Sequence, residues 1–188
     1  MTLRADPLEA RDTPALALAL EYAPSFAFGA EARATFDAAA ARLGAALTGP
    51  GLVVRVEAGP LGRPLATGGP TGPGAGLVTF DAGDPWHFGA GTAGLDPGEF
   101  DFYSVALHEL GHALGVGTAP QWSSLVSGGH FHGASAVALY GGPVPLSPDG
   151  DHWGDGVRSG GRSPLFGPSI APGARVGLTA VGAAGLRD

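Results

Sequence analysis

The sequence predicts an α/β (α+β) fold: a small, mixed, twisted sheet with a backing helix, a second helix carrying the reactive side chains, and a loop-rich C-terminal part. Three observations lead there. Leucines alternate with alanines over residues 16–20, Val53, Val54 and Val56 cluster further on, and between them Phe36, Ala40, Leu43 and Leu47 fall on one face of a helix. The chain therefore opens as strand, helix, strand, with the right-handed crossover such units adopt. Residues 102–114 form a second helical stretch, with no proline and no interior glycine except Gly111. Finally, 34 glycines and 17 prolines among 188 residues put much of the remaining chain into turns.

Taken in order, residues 1–14 are polar and contain Pro7 and Pro14, which reads as a flexible arm. Leu16, Leu18 and Leu20 alternate with Ala17 and Ala19 ahead of Glu21 and Tyr22, a first strand. The helix over 30–47 is closed by Gly49-Pro50-Gly51, and Val53, Val54 and Val56 make the second strand. Residues 61–76 are broken by Pro64, Pro70 and Pro73, so only Leu65-Ala66-Thr67 is free to pair, as an edge strand or a plain loop. Gly76-Leu77-Val78-Thr79-Phe80-Asp81 is a stronger strand, and it runs into a turn at Asp84-Pro85. Residues 89–98 feed the second helix, with Asp101 placed as N-cap and Gly115 as the stop.

Beyond that helix, residues 121–133 are expected to wall a cleft, 134–140 to form a short helix, 141–172 to be loops, and the stretch from Val176 onward to form a closing helix. With no repeat or linker, the chain reads as a single domain over 1–188: an arm (1–14), an N-terminal lobe (15–115) and a C-terminal lobe (116–188).

Composition excludes several function classes. The formal charge is −7 and all ten basic residues are scattered arginines, so no basic stripe exists for a nucleic acid. Without cysteine there is neither a disulfide nor a thiolate ligand. No apolar run approaches the eighteen or so residues that span a bilayer, and the N-terminus lacks a basic start followed by an apolar core, so a membrane span and a signal peptide are not expected in this chain. A monomer is expected.

The chemistry concentrates in His108-Glu109-Leu110-Gly111-His112. On a helix, His108 and His112 leave the same face four residues apart and can grip one metal ion at about 2.0 Å each. Glu109 sits one step round, poorly placed as a ligand but able to take a proton from a water at that metal. This is the HExxH pattern of zinc hydrolases. A catalytic zinc needs a third protein ligand. No glutamate follows Glu109, so the candidates are His130, His132, His152 and the aspartates Asp149, Asp151 and Asp155. His152 stands in the turn-rich Pro148-Asp149-Gly150-Asp151-His152-Trp153, where a loop can aim a side chain inward, and His130 and His132 flank Phe131 in a glycine-bounded stretch.

The run from His108 resembles the metzincin metalloproteases, whose signature HExxHxxGxxH turns at a glycine matched here by Gly115 and ends on a third histidine where this chain has Thr118. With Trp122, Phe131-His132-Gly133-Ala134-Ser135-Ala136, Val144-Pro145-Leu146 and His152-Trp153 added, it looks most like the leishmanolysin-like branch, in which an insertion delays the third histidine to an HW pair. That resemblance implies a secreted zinc endopeptidase acting on peptide or protein substrates, with His108, His112 and His152 as ligands and Glu109 as general base. A zinc-binding or adhesion module that keeps the fold without catalysis is the alternative, motivated by Thr118 and by the floor of the site.

Metzincins carry a methionine in a tight turn beneath the metal. The only methionine here is Met1, and residues 163–168 put Phe166 at that place. Phe80, Asp81, Asp84 and Trp86 are similar to a matrixin segment, which implies a structural calcium at Asp81 and Asp84. The family further implies that the edge strand near Leu65 holds extended substrate by main-chain hydrogen bonds. Tyr140 is either an oxyanion donor or a packing residue.

Overall fold

The computed structural model describes residues 15–89 and 91–188. The expected flexible arm, 1–14, lies outside them. Strand β1 (Leu18–Tyr22) is followed by helix α1 (Ala30–Gly44) and strand β2 (Leu52–Gly59), and β1 and β2 pair in parallel with Leu20 opposite Val54. Helix α1 stops three residues before the predicted end. Its buried stripe of Phe36, Ala39, Ala40 and Leu43 faces the sheet and the second long helix.

Strands β3 (Ala66–Gly72) and β4 (Ala75–Asp81) complete a four-stranded sheet of order β1-β2-β4-β3. β4 runs parallel to β2, and β3 runs antiparallel to β4 at the edge. The sheet is therefore mixed, as predicted. The edge strand is longer than the expected 65–67: pairing runs on through Pro70, tolerated because β3 has no outer neighbour, to Gly72, with a register shift between Pro70 and Gly72. The short parallel pair β5 (Trp86–His87) and β6 (Phe100–Asp101) leads into α2 (Phe102–Ala113), which packs along α1 and β3.

The core between sheet and helices is aromatic. Phe80 stacks on Phe102 with ring centroids 4.3 Å apart, and Trp86 meets Phe102 edge-on at 5.4 Å. Such pairs each contribute about 0.5–1.5 kcal/mol beyond the area they bury. They fix the start of α2 against the end of β4, the segment that borders the cleft.

After α2 the chain forms α3 (Pro120–Ser124), β7 (Val126–Ser127), β8 (His130–Phe131), α4 (Ala134–Tyr140) and β9 (Val144–Pro145), with β7, β8 and β9 in a small antiparallel sheet. A second aromatic cluster organises this part: Trp122 stacks on Phe131 at 4.2 Å, and Trp153 packs against both. Helix α4 has its predicted bounds. The closing helix α5 (Ala180–Gly185) begins later than expected, because Val176 and Leu178 reach the core from extended chain and Thr179 caps the helix through Gly182 N. Among the described residues no helix is long and apolar enough to cross a membrane.

Candidate metal centre

Helix α2 is held rigidly before any ligand is considered. Asp101, fully buried, accepts a hydrogen bond from Ser104 N at 3.0 Å, the N-cap that the sequence announces. Arg175, from the chain ahead of α5, pairs with both carboxylate oxygens of Asp101 at 2.7 and 3.0 Å. At the other end Leu114 and Gly115 stop the helix, with Gly115 at φ +112°. Thr118 donates its hydroxyl to His112 O at 2.6 Å, so this side chain satisfies a carbonyl at the helix end.

On this helix His108 and His112 turn their rings inward, 7% and 6% exposed. His108 Nδ1 lies 2.8 Å from Leu165 O and His112 Nδ1 lies 2.7 Å from Val116 O. A carbonyl can only accept, so in both rings Nδ1 carries the proton and Nε2 offers a lone pair. His152 is arranged alike, its Nδ1 lying 2.9 Å from Asp149 Oδ2. The three Nε2 atoms then point at one another, 2.9 Å apart between His108 and His112 and 3.2 Å between His112 and His152. Three lone pairs in contact repel unless a cation sits among them. Burial, and next the neighbouring His112, pull His108 down to about 3, and burial depresses His112 as well, so both rings stay neutral and available as ligands. Three imidazoles converging through Nε2 suit zinc.

Glu109 lies beside them, 7% exposed. Burial alone pushes its carboxyl up to about 8. A dication among the imidazoles would oppose that shift and favour the carboxylate. The histidines and Glu109 face a cleft of about 470 Å³ that runs between Leu65 and Thr67 on one side and Asp151 and Ile170 on the other. Residues 65–67 thus border the cleft as predicted. Residues 121–133 do not. Trp122 and Phe131 are committed to the aromatic cluster behind α2, and Tyr140 packs against the core away from the cleft lining.

The floor comes from the turn at Pro164–Gly167, closed by Gly167 N to Pro164 O at 3.3 Å. Phe166 lies beneath the ligands, its ring 5.9 Å from His108 and 6.3 Å from His112. It also presses on α2 at Gly111, where a Cβ would overlap its ring carbons. The turn is tied to both ligand-bearing elements: Leu165 O holds His108, and Phe166 O accepts from Trp153 N at 2.7 Å, next to His152.

Gly117 lets the two strands of this architecture meet. It adopts φ +72°, and a Cβ there would stand 2.6 Å from Asp151 O, so only glycine lets the His152 loop rest on the turn after α2. The other two candidate histidines for the third position point elsewhere. His130 Nδ1 bonds Gly128 O and His132 Nε2 bonds Ser127 O, both on the exposed hairpin of β7 and β8. Among the described residues, the group of histidines and carboxylates able to hold a metal is His108, His112 and His152.

Calcium at Asp81 and Asp84 finds no support. Both Asp81 oxygens are taken by backbone donors, Leu61 N at 2.6 Å on one and Gly83 N at 2.7 Å on the other, with Gly62 N sharing the first. These bonds, led by Gly83, hold its carboxyl below the usual range. Asp81 organises the turn that leads toward the cleft rim, and burial followed by the charge of Asp81 pushes Asp84 up.

Sequence reasoning missed the carbonyls of Leu165 and Val116, which fix two rings, and the role of Arg175. Backbone acceptors leave no trace in residue identity. Asp149 was visible as a candidate ligand, and in the structure its carboxylate accepts from His152 Nδ1, three residues on in the same turn.

The matrixin family model matches residues 60–128, a little over a third of the chain, covering β3, β4, α2 and the turn through Thr118 but stopping short of His152. No curated protein matches the chain. The family match supports a protease of the metzincin type, and the mixed α/β architecture is consistent with that fold.

Proposed function

We propose that this protein is a zinc-dependent endopeptidase of the leishmanolysin-like kind, with His108, His112 and His152 as metal ligands, Glu109 as general base and Phe166 as the apolar floor. The observation that carries the reading is the convergence of three Nε2 lone pairs on a cleft that also holds a buried carboxylate. A zinc kept only for structure is usually closed by a fourth protein ligand, and the group here numbers three among the described residues.

Bound zinc would supply Lewis acidity, polarising the scissile carbonyl and acidifying water. The protein's own part starts at the rim. Edge strand β3 offers unpaired main-chain groups to an extended peptide, which sets the scissile bond across the cleft. Glu109 removes a proton from the water as its oxygen bonds to the carbonyl carbon, then delivers that proton to the leaving nitrogen as the C–N bond breaks. Val105, one turn before His108, adds an apolar wall to the cleft.

The test is cleavage of casein by zinc-loaded protein. Cleavage that a chelator abolishes and zinc restores is expected, and zinc-loaded protein that leaves casein and a random peptide library intact would overturn the endopeptidase reading. The ligand set is tested separately by zinc titration. His152→Ala is expected to weaken binding by more than the roughly 10–100-fold typical of a supporting residue, and His130→Ala to leave it unchanged. The reverse pattern would remove His152 from the site.

A further inference from the structure

The three ligands are held in unequal ways. His108 and His112 sit on a continuous helix, buried, each with a neutral backbone carbonyl behind it. His152 sits in irregular chain with its side chain 21% exposed, and it alone has an anionic partner. That partner does two jobs at once. Asp149 Oδ1 accepts from Ser147 Oγ and from Asp151 N at 2.9 Å, while Oδ2 accepts from His152 Nδ1 at 2.9 Å. Ser147, 8% exposed, closes the loop by bonding His152 O through its own N–H at 2.9 Å and accepting from Gly150 N at 2.9 Å. Trp122 Nε1 fastens the tip at Gly150 O.

We propose that Asp149 is the positioning residue of the third ligand: one carboxylate oxygen shapes the 147–152 loop, and the other aims and tautomerises His152 toward the two helical histidines. This rests on the metal-binding part of the reading above. An ordered helix and two backbone carbonyls already hold His108 and His112, whereas a loop ligand loses rotamer freedom when the ion binds unless something has fixed it beforehand. Asp149 is 46% exposed, so its charge is partly screened and its main effect is orientation rather than Coulomb attraction. Gly117, which lets Asp151 rest on the turn after α2, sets the distance over which that orientation counts.

Asp149→Asn separates the two jobs, since it keeps size and shape. Its single carbonyl oxygen can serve the loop donors or His152, but the amide nitrogen then faces an N–H on the other side, donor against donor. Zinc affinity, measured by competition with a chromophoric chelator, is expected to fall about 10–100-fold, and the visible band of the cobalt-loaded protein to weaken. Asp149→Ala should do at least as much. The decisive comparison is made in a His152→Ala background, where zinc is held only by the two helical histidines. Asp149→Asn is there expected to change affinity not at all, because it acts through His152. Equal losses in both backgrounds would show a general effect on folding and overturn the inference, as would wild-type affinity in the single variant. Zinc binding that follows this pattern in a protein that cuts no peptide would sink the peptidase reading and leave the role of Asp149 standing. A wild-type chain that takes up no zinc would overturn both.

Discussion

Glu109→Gln is expected to lower casein hydrolysis by about 10²–10⁴-fold, the usual worth of a positioned proton-transfer group, while zinc affinity stays at the wild-type value. The expectation follows from two features of the site. Glu109 is on the ligand helix yet lies outside the three-histidine group, so an amide of the same shape leaves the metal set intact. And its carboxyl is desolvated, which sharpens the dependence of its protonation on whatever charge lies nearby. The variant also serves as its own folding control. In the metal-free protein burial raises the Glu109 pKa from 4.5 to about 8, so this group favours the folded state below pH 4.5 and loses that contribution as pH rises through about 8. Glutamine has no such loss, and metal-free Glu109→Gln is expected to melt no lower than wild type at pH 8. Full activity in the variant would place the base elsewhere in the cleft. Lost activity together with lost zinc would make Glu109 a ligand or a structural residue instead.

What could be read from residues alone follows the range over which each interaction acts. Helix α2, its cap Asp101, its stop Gly115 and the convergence of His108 with His112 are local in sequence, and they were legible because helical periodicity fixes which side chains share a face. The mixed sheet was legible, and proline pointed to an outer position for any strand near Leu65, but the extent of β3, Ala66–Gly72 rather than 65–67, was not. His152 lies forty residues beyond His112, and only a family resemblance chose it among six candidates. Its placement depends on contacts that no periodic pattern records, such as Trp153 N to Phe166 O and the bed that Gly117 leaves for Asp151.

The two misplaced features fail for the same reason. Residues 121–133 carry Trp122 and Phe131, which looked like cleft wall from their position in the chain, but Trp153 draws them into a separate cluster. Asp81 looked like half of a cation site, but three backbone N–H groups reach its carboxylate first. In both cases a side chain was judged by the chemistry it can do, and the fold spent it on a neighbour invisible in the sequence.

The floor of the site carries the largest expected effect on stability. Phe166 is fully buried, and Phe166→Ala is expected to destabilise the metal-free protein by about 3–5 kcal/mol, the range for removing a buried aromatic ring. Gly111 sits under the same ring, with no room for a Cβ beside Cε1 and Cζ. Ordinarily, alanine in place of glycine inside a helix gains about 0.5–1 kcal/mol. Here Gly111→Ala must push the ring away from the face that carries His108 and His112, and a cost of about 1–3 kcal/mol is expected, as for other overpacked cores. Combining the two substitutions should reverse the sign of the second. With the ring gone, the new methyl enters the space it left, and Gly111→Ala in the Phe166→Ala background is expected to stabilise. Denaturation midpoints of the four metal-free proteins measure this coupling directly. An identical cost for Gly111→Ala in both backgrounds would mean that something other than Phe166 excludes a side chain there. The predicted reversal would show that the aromatic floor and the glycine of the HELGH run form one packed unit.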